Sequence, residues 1–189
     1  MGLKDVLFGR KQLKDAAAER IFALSTAAVT LETELGLKPA GVAGIVFKPM
    51  SSGEFVRAEN EMQQLLEGVA AESGSKLERR DDKYGYTWIV LRDPDLEDLV
   101  TEVHAVSSEL ETSGFGPQLL AGVFRFEGSG GPVYLIYGYK RGAFWPFVPK
   151  GDGKERDNAR ELELKAKLEG ELPIEQDLSR WFATYGAPV

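Results

Sequence analysis

Apolar residues recur at spacings of three and four through residues 16–35, where Ile21, Leu24, Ala28, Leu31 and Leu35 form one stripe. That spacing predicts an amphipathic helix, with Gly36 as its left-handed stop. Two heptads are too few for a coiled coil, so the stripe reads as core-facing, with a homo-oligomeric scaffold as the less favoured alternative. Pro39 and Gly41 break the chain before an apolar run of strand length at 42–47. Ser51 and Glu54 fit a capping box that opens a second amphipathic helix carrying Phe55, Met62, Leu65, Leu66 and Val69 and stopping near Gly74. Residues 76–80 and 86–91 read as strands joined over the polar turn Asp81-Asp82-Lys83-Tyr84-Gly85, a hairpin.

Asp93 followed by Pro94 predicts a helix start, with Leu96, Leu99, Val100, Val103 and Leu110 as the buried side and Gly114 as the end. Three strand-like runs follow at 119–126, 133–139 and 143–148, joined by Gly128-Ser129-Gly130-Gly131 and by Lys140-Arg141-Gly142. Tight connections between such runs predict an antiparallel meander. A charge-rich helix over 157–168, ended by Gly170, and a short helix from Pro173 through Trp181 and Phe182 complete the chain. The fold class is therefore α+β, with a mainly antiparallel sheet of about six strands and helices packed against it, in a single domain spanning 16–189. Strands and helices alternate too irregularly for a doubly wound parallel sheet.

Residues 1–15 differ from that body. Lys4, Arg10, Lys11 and Lys14 against Asp5 and Asp15 give the segment a charge of +2, while the remaining residues carry −9 of the chain's −7 total. Leu3, Val6 and Leu7 fall at i, i+3 and i+4 with Phe8 alongside, so a short helix here has an apolar side next to basic groups. Such a helix lies on an anionic membrane surface, docks in a groove of a partner, or folds back on its own core; a frayed terminus is the fourth reading.

Composition narrows the chemistry. The 189 residues, 43% hydrophobic and 28% charged, are those of a globular protein able to bury a core. The longest stretch without a charge, 112–124, has 13 residues, short of the roughly 20 needed to span a bilayer. A cytoplasmic location is the expectation. The net charge of −7 opposes binding to nucleic acid. Without cysteine and with one histidine, His104, thiol chemistry is excluded and a His-based metal site is disfavoured, so no cofactor or metal is expected.

The local motifs favour structural roles. Gly128-Ser129-Gly130-Gly131 leads into Pro132 and another strand, not into a helix N-terminus with a lysine, so it reads as a hairpin turn instead of a phosphate cradle. Tyr134, Tyr137, Tyr139, Phe144, Trp145 and Phe147 interleave with Lys140 and Arg141. Pro146 and the unfavourable charge argue for core packing with an edge strand over base stacking. Carboxylates at Asp81-Asp82 and at Asp95, Glu97 and Asp98 suit a turn and a helix first turn. A small-molecule-binding domain, or a hydrolase using carboxylates and His104, is the alternative to a non-enzymatic protein.

Several stretches act together as a signature: residues 1–9 (MGLKDVLFG), residues 22–31 (FALSTAAVTL), Val46-Phe47-Lys48-Pro49, Asp82-Lys83-Tyr84-Gly85-Tyr86, Tyr139-Lys140-Arg141-Gly142 and Glu169-Gly170-Glu171-Leu172-Pro173. As a set they resemble the PspA-associated protein family PspAB over nearly the whole chain. The resemblance implies a non-enzymatic accessory or adaptor protein of the phage-shock envelope-stress response, whose central PspA protein binds stressed bacterial membranes. It supplies no catalytic residues. The candidate contacts with a PspA-type partner, or peripherally with the inner face of the membrane, are Leu3, Lys4, Leu7, Phe8, Arg10, Lys11, Lys140 and Arg141, with Asp157 and Asn158 as further exposed positions.

Overall fold

The computed structural model describes residues 19–151 and 154–189, the side chains of 65, 66 and 69–73 excepted. A 3-10 turn, Arg20–Phe22, leads into α1 (Ala23–Thr33), followed by β1 (Lys38–Phe47), α2 (Gly53–Ser73), β2 (Lys76–Asp81), β3 (Thr87–Arg92) and α3 (Leu96–Thr112). Then come β4 (Leu119–Gly128), β5 (Gly131–Gly138), β6 (Ala143–Phe147), the two-residue strands β7 (Pro149–Lys150) and β8 (Glu155–Arg156), and α4 (Asn158–Leu168). The main sheet has six strands in the order β2-β3-β1-β4-β5-β6, and every neighbouring pair is antiparallel. The α+β expectation of about six antiparallel strands holds.

The two faces of the sheet are covered differently. A Cβ added at Gly122 would lie 3.2 Å from Val103 of α3, so the residues in register with Gly122, Ile45 and Tyr137, share the α3 face. Phe47 stands two residues from Ile45 on that face and meets Phe55 of α2. On the opposite face Gly44 lets Val189 approach, since a Cβ there would stand 2.7 Å from its side chain. Trp88 and Val46 are paired on that face. It is crossed by the C-terminal segment 181–189, held by Trp145 Nε1–H donating to the Phe182 carbonyl (3.1 Å) and by Arg156 Nη1 donating to the Trp181 carbonyl (2.7 Å).

Several predicted boundaries move. β1 starts at Lys38 and passes through Pro39 and Gly41, because an irregularity between Pro39 and Ala43 absorbs the missing donor and the positive φ of Gly41. The cap of α2 is Ser52, whose Oγ accepts from Phe55 N–H (3.2 Å), not Ser51. Asp95 caps α3 by accepting from Glu97 N–H (2.7 Å). Asp93, the predicted cap, instead accepts from Asp95 N–H and from Ser75 Oγ. The helix predicted from Pro173 is absent except for the 3-10 turn Leu178–Arg180. The Pro173 carbonyl accepts from Phe144 N–H and Glu175 N–H donates to the Phe144 carbonyl, so this stretch pairs beside β6 and its backbone groups are not free to form a helix.

The edges of the sheet contrast. β2 exposes Lys76, Glu78, Arg79, Arg80 and Asp81. β6 carries Pro146, in register with Leu135, and is partly covered by the parallel bridge from Phe144 to Ile174.

Candidate functional site

A groove of about 2060 Å³ wraps one end of the main sheet. It lies where β1 and β5 finish and β3 and β4 begin, so its floor includes Val46, Trp88, Leu119 and Leu120. Leu96, Leu99, Val103, Val106 and Leu110 are buried on α3, while His104, Ser108, Glu111 and Thr112 fall at i, i+4, i+7 and i+8 and form one wall. Glu19 and Arg20 continue that wall. Residues 82–84 and 86, in the turn joining β2 to β3, form another, and Lys140 and Arg141 stand at the end of β5. The far wall is the C-terminal segment, residues 182–188, fixed by edge contacts of Phe182 on Trp145 (4.7 Å between ring centres) and Tyr185 on Phe147 (5.1 Å).

His104 is the one residue here with acid–base capacity near neutral pH. Its ring packs edge-on against Phe22 at 4.8 Å, and Nε2 lies 3.3 Å from Ser108 Oγ. Burial, only partly opposed by Glu19, holds its pKa below the ordinary 6.5, so the imidazole is neutral at pH 7. A Ser–His pair one helical turn apart resembles part of a nucleophilic triad, but among the described residues the buried Nδ1 has no hydrogen-bond partner. A catalytic imidazole needs a group there to fix its tautomer and stabilise its protonated form. Among the described residues, no carboxylate is hydrogen-bonded to that nitrogen. Burial pushes the Tyr139 phenol upward, leaving it a neutral hydroxyl. Among the described residues, no group of three or more His, Asp or Glu side chains is placed to hold a metal ion.

The turn wall is built by Asp82. Its carboxylate accepts from Tyr84 N–H (2.8 Å), Tyr86 N–H (3.0 Å) and Trp88 Nε1–H (3.0 Å). Burial raises its pKa, yet the hydrogen bonds from Tyr86, Trp88, Tyr84 and Gly85 outweigh that and hold it below the usual carboxylate value. Asp81 is taken up by Thr87 and Arg79. These carboxylates organise the hairpin, as the sequence predicts.

Of the predicted contact residues, Lys140 and Arg141 are exposed on the groove, with Arg141 Nε 3.6 Å from Glu175. Leu3, Lys4, Leu7, Phe8, Arg10 and Lys11 lie outside the described residues. Asp157 caps α4 by accepting from Arg160 N–H (3.1 Å), whereas Asn158 is exposed. Tyr134, Tyr137, Tyr139, Phe144, Trp145 and Phe147 are packed in or against the core as expected. Sequence reasoning missed the C-terminal wall, although Trp181, Phe182, Tyr185 and Pro188 are an apolar cluster in an otherwise polar stretch.

All of the chain, residues 1–189, matches the PspAB family, described as PspA associated protein B. Comparison with curated proteins and with solved structures finds no match.

Proposed function

The chain belongs to the PspAB family, and from that premise we propose that it is a non-enzymatic accessory protein that works with a PspA-type partner in an envelope-stress response on the cytoplasmic face of the membrane. The match over the whole length carries this reading. The incomplete surroundings of His104 support it over hydrolysis. Among the described residues no helix is long and apolar enough to cross a membrane. Recruitment falls to the basic amphipathic segment, with Leu3, Leu7 and Phe8 as its apolar contacts and Lys4, Arg10 and Lys11 as its charges, assisted by Lys140 and Arg141. One short amphipathic segment holds lipid only weakly, and stable attachment takes a second signal; the partner protein supplies it.

Flotation of the full chain with anionic liposomes, with and without a PspA-type protein, tests the proposal. Partner-dependent co-flotation is expected, and the Leu3→Ser/Leu7→Ser/Phe8→Ser variant is expected to lose it with an unchanged circular dichroism spectrum. No co-flotation under any condition would refute the adaptor reading.

A further inference from the structure

We infer that Phe22 and His104 form a proton-operated latch: the neutral imidazole holds the 3-10 turn Arg20–Phe22 against α3, and its protonation releases the turn and opens the groove along that wall. The turn has two anchors of unequal kind. Ile21 is fully buried in the core, whereas Phe22 is 36% exposed and rests edge-on against the His104 ring at 4.8 Å. Glu19 and Arg20 line the groove beside His104 and Ser108, so lifting the turn widens the groove at this wall.

The hydrogen-bonding capacity of the ring supplies the switch. A neutral imidazole has one N–H and one bare nitrogen, while an imidazolium has N–H on both. Nε2 lies 3.3 Å from Ser108 Oγ, a hydroxyl that serves either tautomer. The buried Nδ1 has no hydrogen-bond partner among the described residues. In the neutral ring with its proton on Nε2, Nδ1 forgoes one acceptor bond. In the imidazolium it is a charged donor cut off from water, at a far greater cost. The charged ring therefore draws water to Nδ1, and Phe22, a partly exposed side chain on a three-residue turn, is the neighbour that yields. The helix beneath does not, since Val100, Val103 and Val106 of α3 are fully buried.

Among the described residues, the charged and titratable groups around this ring are Glu19 and Arg20 on the turn, Glu111 on α3, and Tyr139, Lys140 and Arg141 at the end of β5. Burial lowers the pKa of the imidazole from 6.5, and Glu19 opposes that only in part. Tyr139 is a neutral phenol, its pKa pushed up by burial. When the turn lifts, water returns to the ring and its pKa recovers toward about 6.5, even though Glu19 moves off with the turn. The open form then binds the proton more tightly. Acid opens the latch and alkali closes it, and the open-to-closed ratio rises at most about tenfold by pH 5.5.

Amide hydrogen exchange of the full chain, resolved by NMR at pH 7.5 and 5.5 and corrected for intrinsic rates, reads the latch directly, because Ala23 N–H donates to the carbonyls of Arg20 and Ile21. Protection at Ala23 is expected to lie well below that of the β4 amides at both pH values, the mark of a local opening. It is expected to fall several-fold, and at most about tenfold, on going to pH 5.5. His104→Gln, which takes up no proton, is expected to abolish that fall. Phe22→Ala, at a partly exposed position, is expected to raise the pKa of the single histidine toward 6.5 in an NMR titration of its ring. Ala23 protected as strongly as β4 opens only with the whole fold, and that result overturns the latch. So does a fall that persists in His104→Gln, protection at Ala23 that does not change with pH, or a His104 titration that Phe22→Ala leaves unmoved.

Discussion

The junction between β6, α4 and the C-terminal wall depends on one buried carboxylate. Glu161, with its side chain 3% exposed, accepts from Val148 N–H at 2.9 Å and pairs with Arg156 at 2.8–3.1 Å, while Arg156 Nη1 also holds the Trp181 carbonyl. Glu161→Ala leaves a buried amide and a guanidinium, 23% exposed, without their acceptor. Breaking a buried pair from one side costs about 3–5 kcal/mol, and the partial exposure of Arg156 places this one near 3. For a chain of this size, ~1 kcal/mol lowers Tm by about 2–4 °C, so a fall of roughly 6–12 °C is expected by scanning calorimetry, with a matching loss in urea titration. The double variant Glu161→Met/Arg156→Met removes the stranded charge together with its partner and is expected to recover part of the loss. A single variant within about 1 kcal/mol of wild type, or a double variant less stable than Glu161→Ala, would refute the argument.

Three further outcomes follow from the same geometry. Gly138→Ala sets a Cβ 2.7 Å from the rigid indole of Trp145, whereas a Cβ at Gly130 meets nothing within 4 Å. The first is expected to cost about 1–3 kcal/mol and the second to stay within about 0.5, as read by urea titration followed through tryptophan fluorescence. Asp82→Ala removes three hydrogen bonds from the β2–β3 turn and is expected to lose about 1–3 kcal/mol, with faster hydrogen exchange at Tyr84 and Tyr86 than elsewhere. Because the folded-state pKa of His104 is depressed, the unfolded chain binds its proton first. Its contribution to stability is then present above the unfolded-state value of about 6.5 and is lost as pH falls below that value through the depressed folded-state one. His104→Gln is expected to flatten the Tm profile in that window, and an unchanged slope would mean that burial does not govern this imidazole.

Much of the fold is legible in the hydrophobic spacing, because each strand and helix of the main sheet has one side to bury. Ile21, Leu24 and Leu31 are buried as their period demands. The hairpins are marked by turn residues such as Gly85 and Gly131, both at positive φ. What escapes local reading is decided by distant partners. Pro173 resembles a helix start until Phe144 pairs with its neighbours. Asp93 suits a cap, but Ser75, far back in the chain, takes its carboxylate. The groove is harder still, since its walls come from α3, two turns, the loop before β4 and the C-terminal segment, and no periodicity joins them. Only the α3 wall, His104, Ser108, Glu111 and Thr112, is visible as a helical spacing, and that spacing says nothing of what surrounds Nδ1.

The two outer strands also limit how any partner can attach. Strand addition requires an open row of backbone donors and acceptors along a flat edge. β2 surrounds its edge with charged side chains, and β6 carries a proline and is already bridged to Ile174, the devices that keep sheets from growing into one another. A binding protein must therefore grip this molecule through side chains, by seating a helix or by meeting charged turns. Its affinity should respond to surface substitutions and salt far more than to anything done to the backbone of the sheet.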